Sequence, residues 1–104
     1  GLWAQRRLQE AGGGLRAPGD SVSLSCRGSG FTLHGYDIWW YRQSPGGSLE
    51  WVSFINFLSN VTYGAAVEGR ATASRDSGKS QSSLFLASLH PSDSARYFSA
   101  IPTG

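Results

Sequence analysis

The sequence predicts an all-β fold, a two-sheet sandwich of Greek-key type, and three observations carry that prediction. Short runs of alternating apolar and polar residues recur along the chain, the period of a strand with one wet face. Gly, Pro, Ser, Asn and Asp cluster between the runs, where each offers a turn its own backbone freedom or constraint. About seven runs fit into 104 residues, which is the strand density of a two-layer sandwich.

The run Ser21 to Cys26 sets Val22, Leu24 and Cys26 on one face and Ser21, Ser23 and Ser25 on the other. Ile38 and Trp40 share an inner face, which sends Trp39 and Tyr41 to the opposite one. Two large aromatics on an outer face predict that something covers it. Leu49 to Ile55 reads as a strand and Arg70 to Ser74 as a weaker one; Leu84, Leu86 and Leu89 form the inner side of another, and Tyr97 and Ser99 lie on the last. The segments Ala17-Pro18-Gly19-Asp20, Ser44-Pro45-Gly46-Gly47 and Asp76-Ser77-Gly78-Lys79 supply a preset φ, a positive φ, or both. No internal repeat is present.

Size and charge exclude several functions. A chain of 104 residues holds one domain and no separate catalytic unit. The formal charge is +2, from 9 Lys+Arg against 7 Asp+Glu, with the basic residues scattered except for Arg6 and Arg7; that is no nucleic-acid footprint. Apolar stretches such as Ile38 to Tyr41 are a few residues long, against the roughly 20 needed to cross a bilayer. Cys26 is the single cysteine, so no internal disulfide forms, and a lone buried thiol ordinarily behaves as a small apolar residue.

Catalytic patterns fail on context. Ala73 to Ser80 satisfies a relaxed phosphate-loop pattern, but that loop must join a buried parallel strand to a helix, and Ser80 to Leu86 alternates like a strand. His34, His90, Asp93 and Ser99 assemble a nucleophile triad only on paper, because no strand-to-helix serine elbow is present. His34 sits in a Gly-flanked loop and His90 beside Pro91, and two His with one Cys make no ligand-spaced metal cluster. The reading assigns no catalytic residue, no metal, no cofactor and no small-molecule substrate.

Cys26, Trp40 fourteen residues later, and Asp93-Ser94-Ala95-Arg96-Tyr97-Phe98-Ser99 resemble the Cys, Trp and Asp-x-Ala-x-Tyr-x-Cys framework of immunoglobulin variable domains. Leu8-Gln9-Glu10-Ala11-Gly12-Gly13-Gly14-Leu15, Arg42-Gln43-Ser44-Pro45-Gly46, Leu49-Glu50-Trp51-Val52-Ser53 and Ser74-Arg75-Asp76 are similar to the heavy-chain framework, and Tyr63 to Thr72 resembles bird heavy-chain segments. The resemblance covers Gln5 to Ala100 and implies an immunoglobulin-like V-type Greek-key β-sandwich. It implies that Trp40 packs on Cys26, that the Tyr97 hydroxyl bonds backbone at the corner before its strand, and that Arg70 pairs with Asp93. It also implies that Tyr41, Gln43, Leu49, Trp51 and Phe98 face a light-chain variable domain.

Departures from the pattern matter as much. Ser99 stands where the family has its second cysteine, and Ala71, Ala73 and Ser82 replace larger apolar residues, so the core is expected to be underfilled and the chain marginal. Gly1 to Ala4 resembles the tail of a secretory leader, with Leu2 bulkier than cleavage sites favour. Ile101-Pro102-Thr103-Gly104 lacks a Trp-Gly-x-Gly joining motif. The resemblance therefore implies an unrearranged variable segment, with the final strand and most of the third hypervariable loop missing, and residues 101–104 as the start of that loop or read-through.

The first hypervariable-like loop is Phe31, Thr32, Leu33, His34, Gly35, Tyr36 and Asp37; the second is Asn56, Phe57, Leu58, Ser59, Asn60, Val61 and Thr62. Tyr36, Asp37, Trp39, Phe54 and Phe57 give the rigid aromatic and polar mixture suited to recognition, although Trp39 and Phe54 equally suit burial under a partner. Asn60-Val61-Thr62 is a glycosylation sequon. The expectation is an antigen-binding heavy-chain segment, secreted or on the B-cell surface, paired with a light chain. Its rivals are a germline or pseudogene donor for gene conversion with no folded product, and a V-type adhesion receptor.

Overall fold

The computed structural model describes residues 7–12, 17–29, 33, 35–76 and 81–101. Phe31, Thr32, His34, the leader-like Gly1 to Ala4, the turn Ser77 to Ser80 and Pro102 to Gly104 lie outside the described residues.

Eight strands form two antiparallel sheets. They are β1 (Arg7–Gly12), β2 (Val22–Ser29), β3 (Ile38–Gln43), β4 (Leu49–Ile55), β5 (Val61–Tyr63), β6 (Ala71–Asp76), β7 (Gln81–Leu86) and β8 (Arg96–Ala100), with a 3-10 turn at Pro91–Asp93. One sheet has the order β1-β2-β7-β6 and the other β5-β4-β3-β8. The chain crosses between sheets after β2, β5 and β7, so the predicted sandwich is present. β1 and the short β5 are additions to the strands read from the sequence, and β7 is the strand expected from the alternation of Leu84 and Leu86.

Two turns behave as their residues require. The Asp20 N–H donates to Ala17 O at 3.1 Å across Pro18-Gly19, with Gly19 at φ +88°, the proline-first, glycine-second geometry of a type II turn. Gly47 donates to Ser44 O at 2.9 Å to close the β3–β4 hairpin.

The core joins inward residues of both sheets: Val22, Cys26, Leu84 and Leu86 from one, Ile38, Trp40, Val52 and Ile55 from the other. Trp40 is fully buried and pairs in register with Ser99. Cys26 is fully buried beside the Ser99 side chain, and Ser99 pairs in register with Trp40, so the three meet between the sheets. The Trp40 Nε1 is buried with no acceptor among the described residues. At the small core positions, the Ser82 hydroxyl donates to Ser74 O at 2.8 Å, which satisfies it. The Tyr63 hydroxyl accepts the Ala73 N–H at 2.8 Å, which ties the edges of the two sheets together.

A register shift between Trp40 and Tyr41 rephases β4. Trp40 opposes Ser53 and Tyr41 opposes Trp51, so Val52 is the extra residue. Uninterrupted alternation would put Trp51 and Ile55 on one face. With the bulge, Trp51 faces out while Ile55 is fully buried. Gly64 is needed behind it, because a Cβ there would lie 2.5 Å from Trp51 O.

Candidate functional site

Three groups of side chains form at different places on this frame. At one end lie the two loops between β2 and β3 and between β4 and β5. The second loop is a tight hairpin: Asn56 N–H donates to Asn60 O at 2.9 Å, and Asn56 Oδ1 accepts from Leu58 and Asn60 N–H, each at 2.9 Å. Ser59 takes φ +66° to complete it, a left-handed conformation that non-glycine residues seldom adopt. Phe57 and Leu58 stand exposed at its tip.

Two side chains bind the loops to each other. Arg75 on β6 donates from Nη1 to Leu33 O at 2.6 Å, and from Nη2 to Tyr36 O at 2.6 Å and Asn56 O at 2.8 Å. Its Nε reaches Ser59 Oγ at 3.3 Å. Asp37 Oδ1 accepts the Phe57 N–H at 2.6 Å. One planar guanidinium thus holds carbonyls from both loops, and burial pulls its pKa below the ordinary arginine value while Asp37 acts against that. Leu33 belongs to the first loop by position and to the core by burial, being fully enclosed; it anchors the loop and faces no solvent. Val61 is likewise packed against the core and Thr62 lies on β5, so the outward residues of the second loop are Phe57, Leu58, Ser59, Asn60 and Thr62.

The outer face of the β5-β4-β3-β8 sheet is the second group. Leu49 is 65% exposed and Trp51 37%, while Tyr41 and Phe98 stack with ring centroids 5.8 Å apart. Trp39 and Phe54 pair at 4.7 Å further along the same face. Gln43 donates its amide to Gly47 O at 3.3 Å. A cleft of about 590 Å³ opens beside this face, lined by Glu10, Gln43, Leu49, Arg96, Phe98, Ser99 and Ile101. It adjoins β8, which ends its sheet with no strand paired on its outer side among the described residues. Ser99 donates to Glu10 Oε2 at 2.8 Å in this cleft. Burial pushes the Cys26 thiol up, with the neighbouring Ser99 side chain acting against it, which leaves it a poor nucleophile.

The third group closes the opposite end. Asp93 Oδ1 accepts from Arg42 Nη1 at 2.9 Å and Arg70 Nη2 at 3.0 Å, and Oδ2 from Arg70 Nη1 and the His90 N–H, each at 2.7 Å. Arg42 also reaches Glu50 Oε1 at 2.6 Å and the Tyr97 hydroxyl at 3.0 Å. Tyr97 donates its own proton to Asp93 O at 2.8 Å, the corner bond that the resemblance implies. Burial acts to raise the Asp93 pKa, but Arg70, the His90 N–H and Arg42 outweigh it and hold the carboxyl well below the usual carboxylate range. The sequence reading had Arg70 with Asp93 and missed Arg42. Asp93 and Ser99 each bond other partners and make no triad with His90. The residues of the phosphate-loop pattern that are described lie on β6, antiparallel to β7.

The immunoglobulin V-set domain profile matches residues 15–104. Among curated proteins the chain is similar to the Ig heavy chain V region MOPC 141 of Mus musculus, with 42% identity over 99 residues, covering 95% of this chain and 69% of that relative.

Proposed function

Since the chain belongs to the immunoglobulin V-set family, we propose that it is the variable segment of an antigen-binding immunoglobulin heavy chain, secreted or displayed on B cells. Its first two hypervariable loops would contact antigen, and its outer sheet face would pair with a light-chain variable domain. The observation that carries the reading is the joint fixing of both loops by Arg75 and Asp37. Loops held to each other before any ligand arrives lose little freedom on binding, and the tip they present is rich in aromatic and small polar side chains.

The partner face supports the same reading. Leu49 and Trp51 remain exposed at the end of a row that includes Tyr41 and Phe98, and large apolar groups in one patch mark an interaction surface. Sedimentation of the chain with an immunoglobulin light-chain variable domain tests it. The expected result is a one-to-one complex, weakened by Leu49→Ser and Trp51→Ser, the tryptophan costing about 2 kcal/mol or more as an aromatic anchor. Absence of a complex, or a complex indifferent to both changes, overturns the pairing.

One observation favours a second reading, that of a sequence donor for gene conversion with no folded product. Cys26 faces a serine, Ser99, where the family's bridge would close. Rearranged transcripts retaining Ser99 support the binding role; tracts of this segment copied into other heavy-chain genes, without such transcripts, support the donor role.

A further inference from the structure

The hairpin between β4 and β5 carries the chain's two asparagines in opposite situations. Asn56 is committed to the turn, with its Oδ1 accepting two backbone N–H groups. Asn60 is exposed, and its side-chain amide enters none of the hydrogen bonds of the described residues. Thr62 follows two residues later, also exposed, while Val61 between them packs against the core. Strand alternation thus points Asn60 and Thr62 outward together. Asn60-Val61-Thr62 has the acceptor spacing, with a hydroxyl at the third position and no proline between; Asn56-Phe57-Leu58 has no hydroxyl and is not an acceptor.

Beside Asn60 the surface is one that sugar would cover. Phe57 is 58% exposed and Leu58 66%, and β5 ends its sheet with no strand on its outer side among the described residues, so an apolar tip adjoins a sheet edge. Both are association hazards unless shielded. A bulky hydrated chain on Asn60 stands next to each of them without displacing a side-chain hydrogen bond or a core residue.

We propose that Asn60 carries an N-linked glycan that shields the Phe57–Leu58 tip and so covers part of the antigen-binding surface proposed above. This rests on the part of the proposed function that sends the chain through a secretory compartment. The donor is a polyprenyl diphosphate-linked oligosaccharide: the Asn60 Nδ2 attacks the anomeric carbon, the new C–N bond forms as the anomeric C–O bond breaks, and the polyprenyl diphosphate leaves. One amide proton passes to a base of the transferase. No oxidant or reductant enters.

The whole chain, expressed in animal cells behind a supplied signal peptide, tests both halves. Mass spectrometry of the secreted and the cell-retained pools, before and after peptide-N-glycosidase, reads Asn60 directly because the enzyme leaves aspartate there. Expected are occupancy in the wild type, loss in Asn60→Gln and Thr62→Ala, and retention in Thr62→Ser. An unmodified Asn60 in both wild-type pools overturns the site, and because transfer precedes folding a chain that is retained is read equally well. Since the leader is supplied, this failure is separate from failure of light-chain pairing. For the shielding, chymotryptic cutting after Phe57 is expected to be several-fold slower in the glycosylated chain than in the same chain after glycan removal. Equal rates overturn it.

Discussion

The two ends of the sandwich are each closed by an arginine that finishes an inward-facing stripe, and the arginines are answered differently. On β3 the stripe is Ile38, Trp40, Arg42, and Arg42 meets the carboxylates of Asp93 and Glu50. On β6 it is Ala71, Ala73, Arg75, and Arg75 meets backbone carbonyls of two loops. A charge answered by a buried opposite charge fixes the frame, since neither partner tolerates loss of the other. A charge answered by carbonyls fixes only the segments that supply them, and those segments are free to vary in side chain. The first arrangement suits an end that stays constant, the second the end that we propose contacts antigen.

The sharpest way to break this comparison is at Asp93. Its side chain is 2% exposed and Arg42 beside it 7%, so Asp93→Ala takes the buried carboxylate from two guanidiniums and leaves Arg42 only the half-exposed Glu50 as counter-charge, at a cost of about 3 kcal/mol or more, against a total of about 5–15 for a domain. Urea denaturation is expected to show a collapse of the midpoint or no folded baseline. The same residue sets the acid limb. Its folded pKa lies below the unfolded value of about 3.9, so its contribution is complete above that value and is lost as pH falls through the folded one. Asp93→Asn is expected to flatten stability against pH below about 4, as read by midpoints across that range.

Next in size is a change that makes the constant end less critical. Ser99→Cys places a second thiol beside Cys26, where a bond would close a loop of more than 70 residues. Chain entropy values that link at about 4 kcal/mol. The denaturation midpoint is expected to rise under oxidising conditions and to stay near the parent when reduced. With the bond closed, Asp93→Ala is expected to regain a folded baseline; if it does not, the charge network determines more than net stability.

The matching change at the other end has a local effect. Arg75→Met leaves the Leu33, Tyr36 and Asn56 carbonyls without their shared donor, each an about 1 kcal/mol hydrogen bond. Amide exchange is expected to speed up over residues 35–37 and 56–60 while the amides of β2 and β7 stay protected. Global loss of protection equal to that of Asp93→Ala would erase the distinction between the two arginines. Arg75→Lys is expected to resemble Arg75→Met, because a single ammonium lacks the planar fork that reaches carbonyls on both loops.

Much of this was legible in the sequence, and the gaps have physical causes. β2, β3 and β7 follow from alternation, β4 reads as a strand without it, and the Arg70–Asp93 pair comes from resemblance. β1 escaped because Arg7 to Gly12 runs into glycines with no inner stripe, and β5 because it has three residues. The bulge at Trp40/Tyr41 is a property of pairing, decided between two strands, and a single strand's pattern carries no trace of it. Arg42 had a signal that was not used, since an arginine in phase with Ile38 and Trp40 must find a buried counter-charge. Arg75 had the same phase, but its acceptors are backbone carbonyls, which every residue possesses and no sequence marks.

The smallest expected effect tests how tightly the Arg75 end is held. Ser59 sits at φ +66°, where a side chain costs about 1 kcal/mol or more and glycine costs little. Its hydroxyl accepts from Arg75 Nε at 3.3 Å, a long and exposed contact at the weak end of the hydrogen-bond range. Ser59→Gly therefore relieves strain and removes one weak bond, and the net is an expected gain of about 0.5 kcal/mol after the added freedom of glycine in the unfolded chain is subtracted. The midpoint in urea should rise slightly with amide exchange at Asn56 and Asn60 unchanged. A fall in the midpoint, with faster exchange at those amides, would mean that the Ser59 contact holds the guanidinium in place, and that the variable end tolerates less sequence change than its carbonyl acceptors imply.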